Sequence, residues 1–136
     1  MKSPEAVLRA ALVAQTAVTT MVGTRIYPLL APKTAALPFV TWRRAGISRE
    51  HTLAGPMGMP NVTVEMQTFA ATYEDAREVS DRIRLVLDGY GGTLNNTVVK
   101  NVSLENEADD FVQLSGGDLP PVYQVTQTFN VLWQET

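Results

Sequence analysis

Asn61-Val62-Thr63-Val64-Glu65-Met66-Gln67-Thr68-Phe69-Ala70, with Thr72-Tyr73-Glu74-Asp75-Ala76 directly behind it, is the stretch whose reading decides the fold. Val62, Val64 and Met66 alternate with Thr63, Glu65 and Gln67, the two-residue period of a strand with one face buried. Thr72 and Asp75 then stand at capping-box spacing, with Asp in place of the usual Glu or Gln, and the spacing predicts a helix over Tyr73 to Asp88. Tyr73, Ala76, Val79, Ser80, Ile83, Val86, Leu87 and Tyr90 fall on one stripe, opposite Arg77, Glu78, Asp81, Arg82, Arg84 and Asp88. Glu78 and Arg82 are placed to pair at i, i+4, and Gly89 ends the helix.

Upstream, Phe39-Val40-Thr41-Trp42-Arg43-Arg44 alternates in type and is expected to pair antiparallel with Asn61 to Ala70. Ser3-Pro4 is a helix-start signal for about Pro4 to Gln15, where Leu8, Ala11, Leu12 and Gln15 form an inward face. A short helical turn over about Ala17 to Val22 precedes Gly23, expected in a left-handed conformation, and Arg25 to Pro28 is short and extended. Pro32, with Lys33 and Thr34 after it, makes Leu29 to Leu37 read as an irregular surface segment.

Downstream, Thr97 to Glu105 reads as a strand, with Val98, Val102 and Leu104 on one face and Lys100 interrupting it. Asn106 to Pro121 is acidic and rich in Gly and Pro; its apolar island Phe111 to Leu114 reads as an edge strand or a contact arm. The last strand covers about Val122 to Trp133, where Tyr123, Val125, Phe129, Val131 and Trp133 share a face on which Gln127 is the exception. The expected fold is α+β: one domain over residues 1–136, with a mainly antiparallel sheet of about four strands and two helices packed on one face.

Composition narrows the function. The 136 residues are 45% hydrophobic and 18% charged, ordinary usage for a folded chain with one core. A net charge of -3 argues against a DNA-coating or polybasic membrane role, which needs a concentrated positive field. With no cysteine there is neither disulfide nor thiol chemistry. Arg9 breaks the first apolar stretch, so a signal peptide is not expected, and no run is long enough to span a membrane.

The search for reactive groups is short. His51 is the one histidine, set in a Gly, Pro and Met-rich loop, Gly46 to Pro60, and it reads as an ordinary loop residue rather than a general base. Glu105, Glu107, Asp109 and Asp110 lack a calcium-loop pattern and read as a solvated or partner-facing acidic segment. Gly55-Pro56-Met57-Gly58 lacks the lysine and hydroxyl of a phosphate loop. Neither cofactor nor metal is expected. A loop as long as Gly46 to Pro60, carrying Met57 and Met59 with few charges, suggests contact with a partner, and Arg43 and Arg44 flank it.

Taken in order, the opening helix, Met21-Val22-Gly23-Thr24-Arg25-Ile26-Tyr27-Pro28, Ala31-Pro32 through Leu37-Pro38-Phe39-Val40, Thr68 to Ala76 leading to Leu87-Asp88-Gly89, and the aromatic terminal strand resemble the tail-completion (tail-terminator) proteins of long-tailed bacteriophages. The resemblance covers most of the chain and is weakest over Gly46 to Pro60 and Asn106 to Pro121. It implies a structural virion protein rather than an enzyme: a ring, typically of six subunits, at the head-proximal end of the tail. Such a ring ends tube polymerisation and presents the surface for head-to-tail joining. The implied partners are further copies of the chain, the tube protein, a head-completion or connector protein and DNA passing without sequence-specific binding, with no membrane. Assembly would take place in the host cytoplasm. The expected oligomer or partner contacts are Arg43, Arg44, Arg49, Glu50, His51, Met57, Met59, Glu107, Asp109, Asp110 and Phe111. The alternatives are a head-closure or neck connector and, from a different class, a small ligand-binding or enzymatic domain using His51.

Overall fold

The computed structural model describes residues 4–29, 36–48, 51–52, 55–56, 61–94, 97–112 and 122–134. Helix α1 (Pro4–Val13) and helix α2 (Thr16–Val22) precede strand β1 (Ile26–Pro28) and strand β2 (Phe39–Ser48). The two-residue strands β3 (His51–Thr52) and β4 (Gly55–Pro56) pair with each other, and β5 (Asn61–Ala70) leads into helix α3 (Tyr73–Leu87). The chain closes with β6 (Gly92–Leu94), β7 (Thr97–Val112) and β8 (Val122–Gln134). The main sheet has six strands in the order β1-β2-β5-β8-β7-β6, so the expected four central strands acquire a short flank on each side, and three helices stand where two were expected. The flanks escape the periodicity argument because three residues cannot display a period. Every pairing in this sheet is antiparallel except β1 with β2.

Val62, Val64, Met66, Thr68 and Ala70 of β5 are all fully buried, as are Val125, Gln127, Phe129 and Val131 beside them. Against this face pack Val7, Leu8 and Leu12 of α1, Val18 and Val22 of α2, and Val79, Ile83 and Leu87 of α3. Burying side chains of this size contributes about 1.5–3 kcal/mol apiece relative to exposure, which makes the dry face the main source of stability. The other face carries Thr63, Glu65 and Gln67 of β5, Thr126, Thr128 and Asn130 of β8, and Asn101, Ser103 and Asn106 of β7. None of these is buried, and the apolar core, with the helices, lies wholly on the opposite side.

The α3 boundaries follow the local chemistry: the Thr72 hydroxyl accepts the Asp75 N–H at 3.1 Å, and Gly89 takes φ 82° just past the last turn. Arg82 pairs with Glu78 at 2.9 Å. Gly23 has a positive φ of 59° as expected, but its ψ of -129° lies outside the left-handed helical well. Two side chains leave the expected stripes. Tyr73 is 46% exposed, and Arg77, placed by the stripe on the outward face, reaches the carboxylates of β7.

β7 also differs from its expected form. It runs seven residues past Glu105, absorbing the front of the acidic segment into the sheet, and its register shifts once between Val99 and Asn101 and again between Leu104 and Asn106. The residue left over at the first shift is Lys100, the one that interrupted the apolar pattern; its amine stays in solvent while the strand steps past it. The bulge reverses parity, so Thr97, Val99 and Val102 are the buried set, in place of the expected Val98, Val102 and Leu104. Val98 is half-buried, and Leu104 packs at the rim of the core.

Candidate functional site

Six of the expected contact residues, Arg43, Arg44, Glu107, Asp109, Asp110 and Phe111, fall at two places on the main sheet. Arg43 and Arg44 lie on β2, opposite Glu65 and Val64 of β5. The Arg43 guanidinium meets Glu65 across the strands at 2.7 Å on the open face, while Arg44, opposite Val64, lies on the helix side and is exposed. The backbone of His51 pairs with Pro56 in the small β3-β4 hairpin, so the expected long loop contributes Gly46 to Ser48 to β2 and a two-rung ladder beyond it. Arg49, Glu50, Met57 and Met59 lie outside the described residues.

Glu107, Asp109, Asp110 and Phe111 form the second place, the far half of β7. Because β7 is a strand there, their side chains alternate: Glu107, Asp109 and Phe111 face the helices opposite Gln127, Val125 and Tyr123, and Asp110 faces the open side opposite Gln124. Arg77 sits between three carboxylates, 3.3 Å from Asp109, 3.5 Å from Glu107 and 3.6 Å from Asp81. Its partial burial opposes the charged form, but the carboxylates outweigh that and hold the guanidinium above its usual range. The Tyr73 hydroxyl donates to Asp109 at 2.6 Å, and this bond is the main cause that raises the phenol above its ordinary value.

Sequence reasoning placed the acidic residues in solvent or against a partner and missed their attachment to α3. One signal was present: Gln127, the polar exception on the apolar face. Its amide donates to the Ser80 carbonyl at 2.8 Å and to Glu107 at 3.3 Å, tying β8, β7 and α3 together. Beside this network Tyr73, Asp109, Asp110, Phe111 and Tyr123 line a shallow concavity of about 360 Å³. Phe111 is 57% exposed at its rim, and the Tyr73 and Tyr123 rings meet edge to face at 6.2 Å. An aromatic floor with carboxylates at the margin suits a cationic side chain.

The sheet edges complete the picture. β1 covers β2 only along Val40 to Trp42, where Leu29 adds one further bond to the Trp42 carbonyl. β6 covers β7 only along Thr97 to Val99. The Gly89 N–H binds the Val102 carbonyl at 2.7 Å, and Asp88 accepts the Leu104 N–H at 3.2 Å, so the end of α3 closes the next stretch of the β7 edge. Among the described residues, no strand pairs with the outer edge of Arg43 to Ser48 or of Asn106 to Val112. Edge strands left open are templates for pairing with another chain.

Ion-paired charges, open strand edges and a broad polar sheet face are the makings of a structural protein that works by contact. Comparison with known families supplies the particular: the sequence matches the family described as tail completion protein gp17 over residues 6–133, and the chain belongs to that family. It is thus a structural component of the phage virion tail. Among solved structures, a chain from the virion of a native gene transfer agent particle shares the fold, with a TM-score of 0.76 at 13% identity, over 94% of this chain and 92% of that one. No curated protein matches the sequence.

Proposed function

We propose that the protein caps the head-proximal end of the tail tube as a homomeric ring, ends tube polymerisation and offers the surface on which the head-side connector docks. Membership of the tail-completion family supports the setting, and the observation that carries the ring reading is the pair of open strand edges on the two flanks of one sheet. Two unlike patches on opposite sides of a subunit join heterologously, and such contacts close into a ring when the rotation between neighbours permits. The polar face, rich in Thr, Asn and Gln and with Glu65 held by Arg43, suits a lumen through which DNA passes without sequence-specific binding. Expected partners are therefore further copies of the chain, the tube protein and a head-completion protein, with the whole chain acting as one domain.

Native mass spectrometry of the purified protein, alone and with assembled tail tubes, is expected to give a closed oligomer, and electron microscopy is expected to show it at one tube end. Tubes grown in its presence should be shorter and joinable to heads. A protein that stays monomeric at high concentration and leaves tube ends bare would overturn the reading. Binding to the portal side alone would favour the neck-connector role instead.

A further inference from the structure

We infer that neighbouring subunits join by strand addition, the β2 edge of one copy (Arg43 to Ser48) pairing antiparallel with the β7 edge of the next (Asn106 to Val112), so that the main sheet continues through the joint. This rests on the ring reading above and names its contact surface.

Four observations meet in it. The first is strand direction: successive antiparallel pairings make β2 and β7 run oppositely within one subunit, so a neighbour reached by rotation about an axis near the strand direction brings its β7 antiparallel to β2. The second is charge. The β2 edge carries Arg43 and Arg44, and the β7 edge carries Glu107, Asp109 and Asp110. The faces match as well, because Arg44 and Asp109 lie on the helix side of the sheet while Arg43 and Asp110 lie on the open side. Arg44 of one copy then enters the concavity of Tyr73, Asp109, Phe111 and Tyr123 on the next.

The third is that each open edge has a stop at one end. β1 blocks β2 before Arg43, and the Asp88-Gly89 contact blocks β7 before Asn106, which limits the joint to the length left free. The fourth is the stagger. Arg44 aligns through Val64 and Phe129 with Leu104 of its own subunit, whereas the Asp109 it meets on the next lies four ladder steps further along β7, the register shift after Leu104 taken into account. That offset is about 14 Å along the strands, against about 19 Å for one subunit's repeat, three strand spacings from β2 to β7 and one across the joint, so joining the edges in a closed ring tilts the strands by roughly 35° from its axis, within the range that closed sheets adopt.

The chain has no cysteine, so engineered pairs report without background. In the full-length protein on tail tubes, Ala45→Cys combined with Ala108→Cys, both exposed sites, is expected to give on oxidation a ladder of disulfide-linked species ending at one closed size. The control, Ala14→Cys with Ala108→Cys, should give none. Arg44→Glu is expected to raise the concentration for half-assembly about tenfold, with a weaker dependence on salt than the wild type. If the wild type forms rings but the Ala45-Ala108 pair links no better than the control, or Arg44→Glu assembles as the wild type does, the subunits join elsewhere: this inference falls and the ring reading stands. Linkage into the tube protein in place of a second copy would also overturn it. A wild type with no ring in any condition removes the ring reading, and this joint with it.

Discussion

Gln127 has no exposed surface, faces Met66 and Glu107 on the adjoining strands, and spends its amide on Ser80 and Glu107 while its own side-chain oxygen finds no partner. A half-satisfied buried amide stabilises little, yet truncating it removes the bonds to Ser80 and Glu107 and opens a void. Gln127→Ala is therefore expected to cost about 2–4 kcal/mol, and Gln127→Met, which fills the space and removes the orphaned oxygen, less than about 1 kcal/mol. Urea unfolding separates the two; equal losses would show that the amide bonds, and not the volume, decide. Tyr73 gives a pH signature. Its raised pKa means that the fold favours the protonated phenol, so the stabilisation is complete below the unfolded value near 10 and lost as pH rises through the folded one. Alkaline unfolding should therefore be steeper in the wild type than in Tyr73→Phe, and ultraviolet titration of that variant should lack its last phenolic step. Identical alkaline profiles would remove the Tyr73-Asp109 bond from the account.

At the scale of elements, α3 holds the acidic end of β7 through Arg77 and closes the middle of its edge through Asp88 and Gly89, so its two termini decide how much of β7 is left open. Thr72→Ala removes the N-terminal cap and is expected to cost about 1 kcal/mol, with Thr72→Ser near neutral. Gly89→Ala meets no neighbouring atom but forces a side chain to φ 82°, for about 1–2 kcal/mol. Midpoints in guanidinium would measure both, and a Gly89→Ala protein as stable as the wild type would show that the turn relaxes. Much of this level was readable from sequence: the α3 cap and stop, the β2-β5 pairing and the alternation of β8 are all local patterns. The bulges of β7 were half legible. Lys100 stood out as a break in the pattern, but only a partner strand shows that the break shifts parity. The extension to Val112 was hidden because Glu107 and Asp109 are held by Arg77 and Tyr73, from 30 to 36 residues away in the chain.

At the scale of the whole molecule, three helices cover one side of a six-stranded sheet, and among the described residues its flanks are only partly closed. The class of protein was legible in the order of short motifs; the contact surfaces were not, because an open edge exists only relative to strands that fail to cover it. Arg43 and Arg44 could be named from their neighbourhood, whereas the diagonal placement of their edge against the acidic one follows from registers that no single segment encodes. The open face has one more consequence. Its hydroxyl and amide groups bind water well and its Arg43 is held by Glu65, so a bore lined by it would be lubricated by hydration. Friction on a moving duplex would then vary little with base sequence, and genome ejection would be limited elsewhere in the particle.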